Sequence, residues 1–253
     1  MFRKFYPPLI FYVHIPKTGG TSIHHYLKVS SKDQREYWDL VSPKLIEQFC
    51  HQNEYNENCI DVNEIPKTVG FVKAHIHFSN IHGVSPIKGR PVKFFTVLRD
   101  PVERQISNYF WFRKTLPSSH EIHNYSLEDY CDNLALTKKL GFINEQAIYL
   151  LRDLNGVRDL LQKSAERVSI DEKNMIKKEL KASLKKFSEI IELSRMEQGL
   201  INLKRFGIVF DGDKAVILNK NEYNRQLVSN KVIIEKLIAL NWADSILLQL
   251  LHE

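Results

Sequence analysis

Cysteine is scarce in this chain of 253 residues: Cys50, Cys59 and Cys131 make an odd number, with no CxxC pair. That excludes a disulfide-dense secreted scaffold and argues against structural zinc, leaving inert thiols in a reducing compartment as the simplest state. No stretch of about 18 apolar residues occurs, so no membrane span is expected. The apolar run 5–13 follows Arg3 and Lys4 as in a signal peptide, but Pro7 and Pro8 interrupt it and no small-residue cleavage site follows. A cytoplasmic chain is expected. Internal repeats, low-complexity tracts and a linker are also missing, so 1–253 reads as a single domain. Two phosphate signatures are absent as well. There is no GxGxxG for a dinucleotide, and no GxxxxGK[ST] followed by a magnesium-binding aspartate for a nucleotide triphosphatase.

What is present suits a packed protein. Fourteen Phe, ten Tyr and the aliphatic runs bury too much apolar surface for a disordered chain. The net charge of +6 favours an anionic partner without saying which. Between Lys163 and Lys186 eight basic residues face four acidic ones, while Ile176, Leu180, Leu184 and Phe187 recur at helical spacing. An amphipathic helix with a solvated face accounts for this more simply than a polyanion-binding patch.

Along the chain, 9–15, 69–75 and 91–98 read as strands. Their nearly continuous apolar character suits strands covered on both faces. A helix follows the first, with Ile23, Tyr26 and Leu27 on one face. Residues 30–66 read as loops and short helices. After the third strand, Asp100 as N-cap, Pro101 at the first helical position and Glu103 three residues on from the cap open a helix with a capping box. The chain then stays mostly helical to about Lys186, with Gly141 and Gly156 as breaks. Short strands are expected at 187–193 and 206–210, and helices at 232–240 and 243–251. Strands alternating with helices predict an α/β fold: a P-loop-type three-layer arrangement with a mainly parallel central sheet flanked by helices.

The most informative segment is Pro16-Lys17-Thr18-Gly19-Gly20-Thr21-Ser22, between the first strand and its helix. Gly19 and Gly20 allow close backbone approach, and the free N–H groups at the helix start favour an anion. Lys17 adds a point charge, and Thr18, Thr21 and Ser22 add hydroxyls. This is a cradle for phosphate or sulfate, although a glycine-bearing turn with an incidental lysine would look the same.

The run His14 to Ser22 resembles the 5′-phosphosulfate loop of sulfotransferases that use 3′-phosphoadenylyl sulfate (PAPS), and more narrowly the carbohydrate sulfotransferases that include the heparan sulfate 2-O-sulfotransferases and bacterial family 2 proteins. Val97-Leu98-Arg99-Asp100-Pro101-Val102-Glu103-Arg104-Gln105-Ile106-Ser107-Asn108-Tyr109, about 80 residues on, resembles that family's 3′-phosphate segment. Ala74-His75-Ile76-His77-Phe78 resembles a GHxxF element with Ala74 for glycine. Asn241, Asp244 and Leu247-Leu248 resemble an NxxDxxLY ending, and Asn144-Glu145-Gln146 is the one anchor between them.

The resemblance implies an O-sulfotransferase that moves a sulfuryl group in line from PAPS to a hydroxyl of a carbohydrate or glycoconjugate, leaving adenosine 3′,5′-bisphosphate (PAP). By it, Lys17, Thr18, Gly19, Gly20, Thr21 and Ser22 hold the 5′ group, and Lys17 stabilises the leaving oxygen. Arg99 and Ser107 hold the 3′-phosphate, and His75 is the general base. Arg99 stands at the carboxyl end of a strand, where a guanidinium can grip phosphate bidentately. Ser107, two helical turns past Asp100, falls on the same face. The plainer alternative pairs Arg99 with Asp100 or Glu103 and leaves Ser107 in solvent. His14 reads as a core histidine, and Arg104 stays undecided between ligand and ion pair. No metal and no nucleic-acid partner are expected. A P-loop kinase or NTPase and a non-catalytic polyanion-binding module are the competing functions.

Overall fold

A computed structural model of the chain describes residues 7–31, 36–40, 45, 47–48, 50–52, 57–83, 90–140, 143–154, 156–209 and 230–253. In chain order its elements are strand β1 (Leu9–Val13), helix α1 (Gly20–Ser30), and strands β2 (Glu36–Asp39), β3 (His51–Gln52), β4 (Asn58–Asp61), β5 (Val69–Ala74), β6 (Ile81–His82) and β7 (Val92–Leu98). Helices α2 (Pro101–Thr115), α3 (Leu127–Asp132), α4 (Leu134–Lys139), α5 (Glu145–Leu150), α6 (Arg158–Leu161) and α7 (Ile170–Leu184) follow. Strand β8 (Phe187–Glu192) and helices α8 (Met196–Leu203), α9 (Lys231–Leu240) and α10 (Trp242–Leu250) end the chain. These elements form two compact units. The first lies within Met1–Leu98, Tyr149–Arg152 and Ser183–Asn219, the second within Arg99–Ile148, Asp153–Ala182 and Lys220–Glu253.

The first unit is built on a five-stranded sheet in the order β2-β5-β1-β7-β8, every neighbouring pair parallel. All five residues of β1 are buried, as its unbroken apolar run requires of a strand covered on both faces. On one face Ile10, Tyr12, Phe71, Phe95, Val97 and Ile191 pack against Ile23, Tyr26 and Leu27 of α1 and Met196, Leu200 and Leu203 of α8. The alternate residues Phe11 and Phe94 cluster with Phe78 and Phe187, ring centroids 5.0–6.2 Å apart. The chain leaves β1 toward β2 at one edge and leaves β7 toward β8 at the other. The order therefore reverses between β1 and β7, and the carboxyl ends of those strands flank the point where such sheets bind ligands. A second, three-stranded sheet, β3-β4-β6, lies in the same unit.

The second unit is helical. Val102, Ile106 and Tyr109 of α2 share its core with Leu127 and Tyr130 of α3, Leu136 of α4, and Ile233, Leu237 and Leu240 of α9. Asp100 caps α2, accepting from the Glu103 N–H at 2.9 Å, with Pro101 behind it. Ile176 and Leu180 of α7 are fully buried, while Lys177 and Lys181 on its outer face lie 2.5 and 3.4 Å from Glu253.

The α/β class, the mainly parallel sheet and its flanking helices are as expected from the sequence. Four details differ. The stretch 30–66 holds strands β2 and β4, whose short half-polar runs carry no alternation to reveal them. Glu103 turns its carboxylate to Arg99 instead of closing the capping box. The expected strand at 206–210 is, over its described residues, the end of a 3₁₀ turn (Lys204–Phe206) closed by Gly207 at φ 83°; residue 210 lies outside them. Strand 69–75 stops at Ala74, so His75 stands just beyond the ladder. The break expected at Gly141 lies outside the described residues.

Candidate active site

The turn after β1 begins with the His14 N–H on the Ala74 carbonyl, which carries the β1–β5 pairing one residue further. Thr18 is fully buried and donates its hydroxyl to the Ile15 carbonyl at 2.8 Å, closing the turn. That hydrogen bond makes Thr18 a lock for the loop as well as a lining residue. Lys17 takes φ 68°, the left-handed region that an L side chain enters at a cost of roughly 1–2 kcal/mol. Gly19 follows at φ 90°.

Gly20 is required by space, and Gly19 by its left-handed backbone. A Cβ on Gly19 would stand 2.8 Å from Leu193 and from Met196, and one on Gly20 would overlap the His14 ring. Helix α1 then starts with no side chain capping it and no acidic residue in its first turn. Ser22 is buried and Thr21 exposed at this end. An uncapped, acid-free helix start behind two close-packed glycines offers backbone N–H groups to an anion.

The histidines sit against this loop. His14 stacks on Tyr12, centroids 5.1 Å apart, and meets the His75 ring at 4.1 Å. His14 thus lies between Gly20 and His75, which brings the expected base up to the loop within one unit. Burial and the Lys73 ammonium push His75 down to about 4, with Asp39 pulling the other way, so it is neutral at pH 7. His14 is also lowered, well below the usual imidazole range, by burial first and then by His75 and Lys73. Lys73 is itself tied to Asp39 at 3.1 Å, and Asp39 also meets His24 at 3.1 Å. His77 faces elsewhere: its Nδ1 is 3.4 Å from Glu57, and its ring meets Tyr149 edge-on at 4.6 Å.

From Arg99 onward the second motif lies in the second unit. Arg99 follows the last residue of β7 directly. Its Nε is 3.3 Å from Glu103, the carboxylate pairing that the plainer reading required. That pair is half in solvent and four residues apart, the kind that contributes little. Ser107 is not in solvent: it is 3% exposed, on the buried side of α2, whereas Asp100 is exposed.

Arg104 proves to be structural. It is fully buried and ion-paired with Glu145, with its Nε 3.8 Å from Asp244. Burial raises both carboxyls, against the pull of Arg104, and Glu145 stands at about 7. Asp244 also accepts the Ala147 N–H at 2.8 Å and the Gln146 N–H at 3.3 Å, which satisfies the first turn of α5. Asn144, at φ 51°, accepts from the Ala243 N–H at 2.8 Å and donates to the Leu161 carbonyl at 2.7 Å. Sequence reasoning gave these residues no role. Their signal was polar side chains in apolar surroundings, Asn241 and Asp244 among Trp242, Ala243 and Leu247, all buried.

Sheet and loop together define an α/β protein whose central strand ends in a glycine-bearing turn before an uncapped helix. Residues 7–132 match the model of the sulfotransferase family, so this part of the chain, which holds both motifs and His75, belongs to that family. No curated protein matches the chain. Among solved structures it is similar to a sulfotransferase from Alicyclobacillus acidocaldarius, at 15% identity over 97% of this chain and 96% of that one, TM-score 0.48. It is also similar to mouse sulfotransferase SULT7A1 complexed with PAP, at 11% identity over 98% and 89%, TM-score 0.34. No helix among the described residues is long and apolar enough to cross a membrane.

Proposed function

We propose that the chain is a PAPS-dependent O-sulfotransferase acting on a hydroxyl of a carbohydrate or glycoconjugate. The observation that carries this reading is the contact chain Gly20–His14–His75, which joins a neutral imidazole to a loop shaped for an anion. What supports a phosphosulfate here is the uncapped, acid-free start of α1, with Lys17 held in the turn before it at a strained φ. PAPS, when bound, supplies the sulfuryl group.

The protein's own residues do the rest by position and charge. Lys17 and the turn from Thr18 to Ser22 hold the 5′ group, and Lys17 offsets charge on the oxygen that leaves. Arg99 and Ser107 hold the 3′-phosphate. His75, unprotonated at pH 7, accepts the proton of the acceptor hydroxyl. An imidazole held near 4 is a weak base, and anionic charge brought beside it raises that value. Residues 1–253 are read as one catalytic domain, as their lack of a linker suggests. The reading includes a cytoplasmic setting, with Cys59 and Cys131 buried as thiols of a reducing compartment.

Calorimetric titration with PAP, and with ATP plus Mg²⁺ in parallel, tests the reading. Tight PAP binding weakened in Arg99→Ala and Ser107→Ala is expected. Preference for ATP with Mg²⁺ would turn the assignment to a nucleotide enzyme, and binding of neither to a folded non-catalytic module.

A further inference from the structure

Arg99 sits between regular elements: β7 ends at Leu98 and α2 begins at Pro101. One side chain takes both of its main-chain groups. The Gln146 amide accepts from the Arg99 N–H at 2.8 Å and donates to the Arg99 carbonyl at 2.9 Å. It closes on this residue as a neighbouring strand would, and Gln146 is fully buried.

Gln146 is held in turn. Its own N–H reaches Asp244 at 3.3 Å, and its amide nitrogen lies 3.5 Å from the same carboxylate oxygen. Asp244 is balanced by buried Arg104, and Asn144 ties the start of α5 to α10, donating its N–H to Asn241 Oδ1 at 3.2 Å and accepting from the Ala243 N–H at 2.8 Å. The whole set converges on the backbone of one arginine. A guanidinium stands several bonds from its Cα, so a small rotation of an untethered backbone would move the head group by far more than a hydrogen-bond length.

We infer that Gln146 is a positioning residue for the 3′-phosphate: it fixes the Arg99 backbone through a two-bond clamp anchored on Asp244, and so sets the direction of the guanidinium. This rests on the reading of Arg99 as the 3′-phosphate ligand. It gives the polar residues of α5 and α10 a purpose that reaches the donor without touching it.

The test compares PAP with adenosine 5′-monophosphate, which lacks only the 3′-phosphate, by calorimetry on the full chain. The wild-type chain is expected to prefer PAP at least about 30-fold, a charge-assisted bidentate contact being worth that much. In Gln146→Ala the preference should fall by about tenfold, with monophosphate affinity unchanged. Gln146→Met, close in volume, cuts the same two hydrogen bonds and serves if the alanine variant does not unfold cooperatively. In an Arg99→Ala background, either substitution should change the preference no further, because the two residues act as one unit. A wild-type preference that survives both Gln146 substitutions overturns the inference alone. Parallel loss of both nucleotides in both variants also overturns it, since it marks a general structural role. Absence of any preference in the wild-type chain sinks the reading of Arg99 and the inference with it.

Discussion

Lys17 carries a cost that its neighbours do not explain. It is one of two non-glycine residues at positive φ among the described residues, and strain of this kind persists where surrounding structure over-determines it. Lys17→Ala keeps the strained backbone and Lys17→Gly relieves it. Urea denaturation should therefore find the glycine variant more stable than the alanine variant by about 1 kcal/mol, although both lose the ammonium. Equal stability would mean the loop relaxes without the lysine. His75 gives a prediction in pH. Its proton is bound less well in the folded chain, at about 4, than in an unfolded one near 6.5. Stability is then complete above pH 6.5 and drains as pH falls toward 4, on the order of 3 kcal/mol from this residue. His75→Gln should flatten that slope in denaturation midpoints measured from pH 7 to 4. An unchanged slope would mean that His75 does not titrate as a buried imidazole.

At the level of elements, α5 is joined to α10 through polar side chains. Asn144 holds both, and it does so at φ 51°. Asn144→Ala leaves the Ala243 N–H and the Leu161 carbonyl without partners in a buried place and keeps the positive φ. It should cost about 3–5 kcal/mol in chemical denaturation. Asn144→Gly should cost about 1 kcal/mol less, the backbone strain being relieved. The strong elements were legible beforehand because each had one dominant cause: unbroken apolar runs for β1, β5 and β7, and Asp100-Pro101 for the start of α2. Strands β2 and β4 were not legible, since four-residue stretches such as Glu36–Asp39 draw their stability from the strand beside them, not from their own pattern. The same division runs through the site. The loop from Lys17 to Ser22 is local in sequence and could be read. The Gln146 clamp spans 47 residues and the Asp244 contact 98, distances over which sequence spacing carries no geometry.

For the whole molecule, the sheet order has a consequence in time. The strand at the centre of the sheet is the one made first, and its two neighbours, β5 and β7, follow about 60 and 80 residues later. Leu9–Val13, five apolar residues with no charge among them, must wait through that interval without a partner. Such a strand is a template for the wrong partner, and parallel pairing of distant segments is slow to rescue it. On a ribosome, chains arrested before β7 emerges should be protease-sensitive and held by chaperones. Chains arrested once β8 is out should resist digestion of the Leu9–Val13 segment, as limited proteolysis of stalled complexes would read. Synthesis rate across residues 14–98 therefore bears on yield as directly as any contact in the finished fold.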